Sequence, residues 1–139
     1  MDTKVVWQEG LQFIGTPDSG NSVVLGSSAG EGIGPMEMVL TGLAGCTAMD
    51  VISILQKKRQ KVNSFEVQVH GDRAPEAPKV FTDITIKYIV RGEEIDSVAV
   101  ERAMELSEVK YCPVQKMLSK AVPIHLTYEI VEEAYAVPA

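Results

Sequence analysis

Positive charge is in short supply: 13 lysines and arginines stand against 19 aspartates and glutamates, a net charge of −6. A surface of that sign repels phosphate backbones, which argues against nucleic acid as a partner. Cysteine and histidine are sparse too, two of each. No CxxC and no HxxxH occurs, so the spacing of a zinc finger is missing and no metal is expected. GxSxG, a phosphate-cradling loop and a dinucleotide fingerprint are likewise missing, so no cofactor is expected. GEGIGPM is rich in glycine ahead of a helix, but it lacks the lysine and the preceding parallel strand of a phosphate loop. The N-terminal MDTKVVWQEG has no basic stretch leading into an apolar run, so no secretory signal is expected. Two cysteines 66 positions apart make no secreted disulfide framework and fit a reducing compartment, the cytoplasm by default. Internal repeats and low-complexity segments are absent.

What is present fits one globular domain over 1–139, with 45% apolar and 23% charged residues. The apolar stretch Met36–Leu55 is long enough to be tested as a membrane span. Glu37, Asp50 and the glycines and threonines in its middle argue against that, and no second span exists, so no membrane partner is expected. A helix apolar all round must be covered on all sides. A chain of 139 residues has limited material for that wrapping, so a homo-oligomer is expected to supply the rest.

Along the chain, VVWQEGLQFIG reads as a strand, GTPDSGN as a turn cluster, SVVLGSS as a second short strand and SSAGEGIG as a loop. Gly34-Pro35 opens the long helix, with Pro35 at the first helical position and Glu37 near the positive end of the dipole. Lys57, Lys58, Arg59 and Lys61 close it as a solvated terminus. SFEVQVHG alternates Phe65, Val67 and Val69 against Glu66, Gln68 and His70; FTDITIKYIVRG turns Ile84, Ile86, Tyr88 and Val90 inward. These two read as antiparallel strands with one wet face. Asp96 or Ser97 caps a second helix with Ala99, Ala103, Leu106 and Val109 on its inner face. Cys112-Pro113 breaks it and opens a third helix to about Lys120. VPIHLTYEIVE alternates again, with Ile124, Leu126, Tyr128 and Ile130 inward. The class is α+β, antiparallel sheet packed against helices.

The two cysteines carry the chemistry. Around Cys46 the helix thins to Gly42, Ala44, Gly45 and Ala48, with Met36, Leu43 and Met49 as apolar lining. Interior glycines cost about 1 kcal/mol each relative to alanine; either close packing of another element or access to the sulfur must offset that. Cys112 stands where a helix N-cap belongs, and the N–H donors and dipole there are expected to lower its pKa. A polarised cysteine and one in an apolar niche suit an attacking and resolving pair. Asp50, one turn beyond Cys46, shares its face and raises a thiol pKa unless a cation neutralises it; alternatively it pairs with a basic residue across a dimer. His70 and His125 fall on the wet side of their strands.

GPMEMVLTGLAGCTAMDV, a helix, then YCPVQKML together resemble the OsmC/Ohr family, the osmotically inducible and organic hydroperoxide resistance proteins, over essentially the whole chain. The resemblance implies antiparallel sheets enclosing central helices in an intertwined homodimer, with the site at the dimer interface. It implies a thiol-dependent peroxidase acting on organic hydroperoxides in stress defence, with Cys46 forming the sulfenic acid, Cys112 resolving it as a disulfide, and an external dithiol as reductant. The family's glutamate, ten residues before the reactive cysteine, falls here on Met36; the carboxylate is Glu37, the third site candidate. Nine residues at about 100° each put Glu37 on the helix face opposite Cys46. The family's activating arginine comes from the N-terminal strands, yet no arginine precedes Arg59; Arg59, Arg73, Arg91 and Arg102 are the alternatives. A second reading is a dimer of the same fold that binds a small apolar ligand at its interface, with slow or inert cysteines. A purely structural stress-response dimer is a third, and it leaves the capping cysteine unexplained.

Overall fold

Glycine and proline positions divide the N-terminal segment into three short strands. A computed structural model describes residues 1–27 and 30–137. Ser28 and Ala29 of the expected SSAGEGIG loop and the last two residues of the expected 1–139 domain lie outside the described residues. The chain falls into two compact units, Met1–Thr41 and Gly42–Ala139.

In the first unit, β1 (Thr3–Glu9), β2 (Gln12–Pro17) and β3 (Val23–Leu25) form an antiparallel meander in that order. The single strand expected over VVWQEGLQFIG is two. Gly10 takes φ +51°, a left-handed conformation that glycine adopts without steric cost, and Glu9 pairs with Gln12 across the resulting hairpin. The indole of Trp7 donates to the Gly10 carbonyl at 2.9 Å and fixes the turn. All of β1 is exposed, Val5, Val6 and Trp7 included. An open, apolar edge strand invites pairing with another surface.

The long helix, α1 (Pro35–Lys57), begins in this unit and continues into the second. Pro35 is its first residue, and Glu37 Oε1 accepts from the Gly34 N–H at 2.8 Å, the returning half of a capping box. At its other end Arg59 occupies the left-handed region (φ +56°), with Arg59 N donating to Gln56 O and Gln60 N to Leu55 O. That is a Schellman close with arginine where glycine is usual. Within the second unit, Leu43, Thr47, Val51 and Leu55 repeat every four residues and are fully buried, whereas Met49 stays 73% exposed. One face is thus covered and the rest is not. The helix has the length and apolar composition of a membrane span. Its one buried stripe packs within the second unit, where Thr47 is bonded to Tyr88.

The second sheet has order β4–β5–β6, with β4 (Lys61–Arg73), β5 (Phe81–Glu93) and β6 (Ile124–Glu132). The expected alternation holds: Ile84, Ile86, Tyr88 and Val90 of central β5 are fully buried, and Phe65, Val67 and Val69 of β4 are half-buried between exposed neighbours. β4 and β5 are antiparallel, but β6 runs parallel to β5, so the sheet is mixed. The helices between β5 and β6 carry the chain back to the starting end, as a parallel pair requires.

That crossover comprises α2 (Ser97–Leu106), a π-helical turn over Ser107–Tyr111, and α3 (Pro113–Leu118). Asp96, of the two expected caps, accepts from the Val98 N–H at 3.0 Å. Ala99 and Ala103 face inward as expected, joined by Val100 and Met104. Val109, expected inward, is 65% exposed. The wider π-turn rotates the face away from the 3.6-residue repeat on which that expectation rests.

Ile86→Ala in the centre of β5 is expected to destabilise the protein by about 2–5 kcal/mol, read from the midpoint of denaturant unfolding.

Candidate functional site

Cys46 lies on the second-unit part of α1, half-buried, between Gly42 and Gly45 on one side and Ala48 on the other. A Cβ added at either glycine would meet no atom within 4 Å. Close packing against other described residues therefore does not explain them; among those residues the helix surface beside the sulfur is open.

Cys112 is 2% exposed and ends the π-turn, with its N–H donating to the Ser107 carbonyl at 2.8 Å. It caps α3 as the sequence suggests, its Sγ accepting from the Gln115 N–H at 3.3 Å, ahead of Pro113. The acidic thiol expected from that position is not found. Burial, a hydrogen bond with the Cys46 side chain and the nearby charge of Asp50 outweigh the single N–H donor and lift the thiol from 9.0 to about 11. A six-residue helix lends little dipole, and a sealed sulfur loses its hydration. Cys46 on α1 is thus close enough to raise the Cys112 thiol, and both cysteines are free.

Beside them runs a buried chain of hydroxyls. Ser107 Oγ donates to Asp50 Oδ2 at 3.0 Å, Thr47 Oγ1 lies 2.8 Å from Ser107 Oγ, and Tyr88 OH lies 2.6 Å from Thr47 Oγ1. An ionised carboxylate only accepts, so the Ser107 proton points to Asp50. Thr47 must then donate to Ser107, and Tyr88 to Thr47. Burial pushes the Tyr88 phenol up to about 12 against the opposing effect of the Thr47 hydroxyl, with the charges of Cys112, Glu108 and Asp50 adding to the rise. Tyr88 stays a donor throughout the neutral range.

The expectation for Asp50 is met in one part: it sits one turn beyond Cys46, and among the described residues no cation pairs with it. Glu37 is committed to the Gly34 N–H at the start of α1. Of the four arginines, Arg59 closes α1, Arg73 Nε donates to Lys79 O at 2.9 Å, Arg102 pairs with Glu105 at 3.1 Å and Arg91 is half-buried on β5. None of these bonds involves a cysteine. His70 and His125 lie exposed on the second sheet, paired with Asp72 and Asp83. Among the described residues no group of three or more His, Cys, Asp or Glu is placed to hold a metal ion.

Thr47, Ser107 and Tyr88 were not legible as site residues. The available signal was polarity at inward positions: a tyrosine among the buried alternates of β5, and a threonine on the one buried stripe of α1.

Alkaline pH should weaken the fold through these groups. The Cys112 thiol, raised from 9.0 to about 11, keeps its proton in the folded state while the unfolded chain loses it. Its contribution is therefore full below pH 9 and is lost as pH rises towards 11. Thermal melts should show a midpoint falling over that window, and Cys112→Ala should flatten the early part of the fall. Iodoacetamide should alkylate Cys46 well before Cys112 at neutral pH.

A family model described as "OsmC-like protein" matches residues 28–127. Protein YhfA of Escherichia coli (strain K12) is 47% identical over 132 residues, spanning 94% of this chain and 98% of its own length. A crystal structure of a hypothetical protein from Aquifex aeolicus VF5 superposes with a TM-score of 0.86 at 29% identity, over 95% of this chain and 96% of its own. The organic hydroperoxide resistance protein OhrB of Bacillus subtilis superposes at 0.61 with 18% identity, over 93% and 98%, a likeness of fold alone. The strands and helices around the two cysteines are thus those of an α+β fold shared across these proteins, and the chain belongs to the OsmC-like family.

Proposed function

We propose that the protein is a thiol-dependent peroxidase that reduces organic hydroperoxides in oxidative or osmotic stress defence. One observation carries the reading: half-buried Cys46 lies near enough to buried Cys112 to push that thiol up, and both are free. In the reaction, the Cys46 thiolate attacks the terminal peroxide oxygen, the O–O bond breaks, and the alcohol leaves with a proton. Cys46 is then a sulfenic acid. The Cys112 sulfur attacks it, an S–S bond forms, the S–O bond breaks and water leaves. An external dithiol reduces the disulfide and restores both thiols. Membership in the OsmC-like family, together with a fold shared with OhrB, a protein named for organic hydroperoxide resistance, supports this chemistry. The open helix surface at Gly42 and Gly45 supports an apolar substrate reaching the sulfur. Glu37 serves the site in this reading through the helix it caps.

The working form is a homodimer in the cytoplasm. Support comes from what one chain leaves bare: exposed Val5, Val6 and Trp7 on β1, and Met49 on α1, three residues beyond Cys46. A second copy covers such surfaces with a closed, self-complementary interface.

One equivalent of cumene hydroperoxide should remove both free thiols within seconds, and Cys46→Ser should abolish turnover with a dithiol reductant. Cys112→Ser should still consume one equivalent and leave a sulfenic acid that dimedone traps. Persistence of both thiols under excess peroxide sinks the reading.

A second reading, an OsmC-like dimer that holds a small apolar molecule with little peroxidase activity, draws on a different feature. Val5, Leu11, Phe13, Leu25 and Met38 of the first unit line an apolar cleft of about 630 Å³, within the range that takes a small ligand. Native mass spectrometry of the freshly purified protein should then show extra mass that organic extraction removes.

A further inference from the structure

Forming a disulfide requires Cys112 to lose a proton, and its surroundings oppose that: the sulfur is 2% exposed and receives one backbone N–H. Gln115 N of α3 bonds it; the charged and titratable groups that act on it are Cys46 and Asp50 of α1 and Tyr88 of β5, with Glu108 of the π-turn acting on Tyr88. None is a cation. A local base is therefore needed, and most carboxylates and imidazoles are placed elsewhere. His70 and His125 sit on the exposed sheet face in their own ion pairs, and Glu37 is bonded to Gly34. Asp50 is different. It shares the helix face of Cys46 at one turn's distance, and it is half-buried. Its Oδ2 is held by Ser107, while Oδ1 has no bond among the described residues.

Ser107 joins base and nucleophile. Its hydroxyl holds Asp50, and its carbonyl accepts from the Cys112 N–H at 2.8 Å. The π-turn makes that double grip possible, because its i→i+5 bond reaches Cys112; an α-turn would spend the same carbonyl on Tyr111. Thr47 and Tyr88 complete the arrangement. With every hydroxyl proton pointing towards Asp50, the chain ends on Oδ2, and Oδ1 has no bond among the described residues.

We propose that Asp50 takes the Cys112 proton when that thiol attacks an oxidised Cys46, and that Tyr88, Thr47 and Ser107 are positioning residues that hold the carboxylate for this step. In the sulfenic acid reaction the proton passes from Cys112 to Asp50 and on to the departing hydroxide, so water leaves and Asp50 is regenerated. The proposal rests on the reading of Cys46 and Cys112 as a redox pair, but it does not require peroxide as the oxidant.

The test therefore bypasses peroxide. Dithionitrobenzoate converts Cys46 to a mixed disulfide and releases one thionitrobenzoate; attack by Cys112 closes the Cys46–Cys112 bond and releases a second. The rate of that second release is followed against pH. Without a base the rate must track the thiolate fraction and climb about tenfold per pH unit below the thiol pKa. The native protein is expected to show a nearly flat profile from about pH 7 to 9, and Asp50→Asn to restore the roughly tenfold climb and to be at least about tenfold slower at neutral pH. Asp50→Glu should keep the flat profile, a rescue that a purely structural role would not produce, and Ser107→Ala should lie between. An Asp50→Asn profile that superimposes on the native one overturns the proposal, as does a native protein that releases only one equivalent. An Asp50→Glu profile as steep as that of Asp50→Asn also overturns it. Failure to react with cumene hydroperoxide would sink the peroxidase reading while leaving this result untouched.

Discussion

A hydroxyl buried without a partner costs about 1–3 kcal/mol, and the interior of the second unit contains three in a row. Tyr88, Thr47 and Ser107 are fully buried, and each is satisfied only by the next, with Asp50 at the end. The arrangement ties three elements that are distant in sequence: central strand β5, helix α1 and the π-turn. Moving any one of them by a fraction of a hydrogen-bond length would leave a polar atom stranded in a low-dielectric interior. The chain of bonds thus fixes the rotation of α1 about its own axis. Once that rotation is set, Cys46 and Asp50, one and three residues from Thr47, have settled positions.

The placing of Cys112 beside α1 depends on the same constraint. Ser107 is bonded by its side chain towards α1 and by its carbonyl to Cys112, so one serine ties the capping cysteine to the helix that carries Cys46. The π-turn supplies the extra residue that makes Ser107 and Cys112 face the same helix. It also turns Val109 outward, which a regular helix would have buried. Such a turn is less favourable than an α-helical one, and its presence between the network and the capping cysteine links local irregularity to the site.

Burial has a second effect, on reactivity. The same sealing that satisfies the hydroxyls raises the Cys112 thiol and the Tyr88 phenol, so neither is a ready anion at neutral pH. Cys46, beside open space at Gly42 and Gly45, is the accessible member of the pair. Accessibility and protection are thereby divided between two cysteines on different elements, which is the division the proposed reaction uses. Edge strand β1 and one side of α1, with Met49, stay exposed.

The order of elements was legible along the chain because side-chain periodicity is a local property. Two-residue alternation marked β4, β5 and β6, and Gly34-Pro35 marked the start of α1. Asp96 and Cys112 were recognisable as caps from the helical residues directly after them. The family signature in GPMEMVLTGLAGCTAMDV and YCPVQKML named both cysteines. Local pattern could not report the hairpin at Gly10, the parallel pairing of β6 or the π-turn, since each depends on what the segment meets after the chain returns. It also misjudged the Cys112 thiol: an N-cap position predicts acidity from the nearest N–H groups, whereas desolvation is set by everything packed around the sulfur. The candidates themselves were thus determined by sequence. Only the tertiary structure decided that Cys46 and Cys112 are neighbours, that Glu37 caps its helix, and that Thr47, Ser107 and Tyr88 lead to Asp50, because burial and hydrogen bonding across elements exist only once those elements have met.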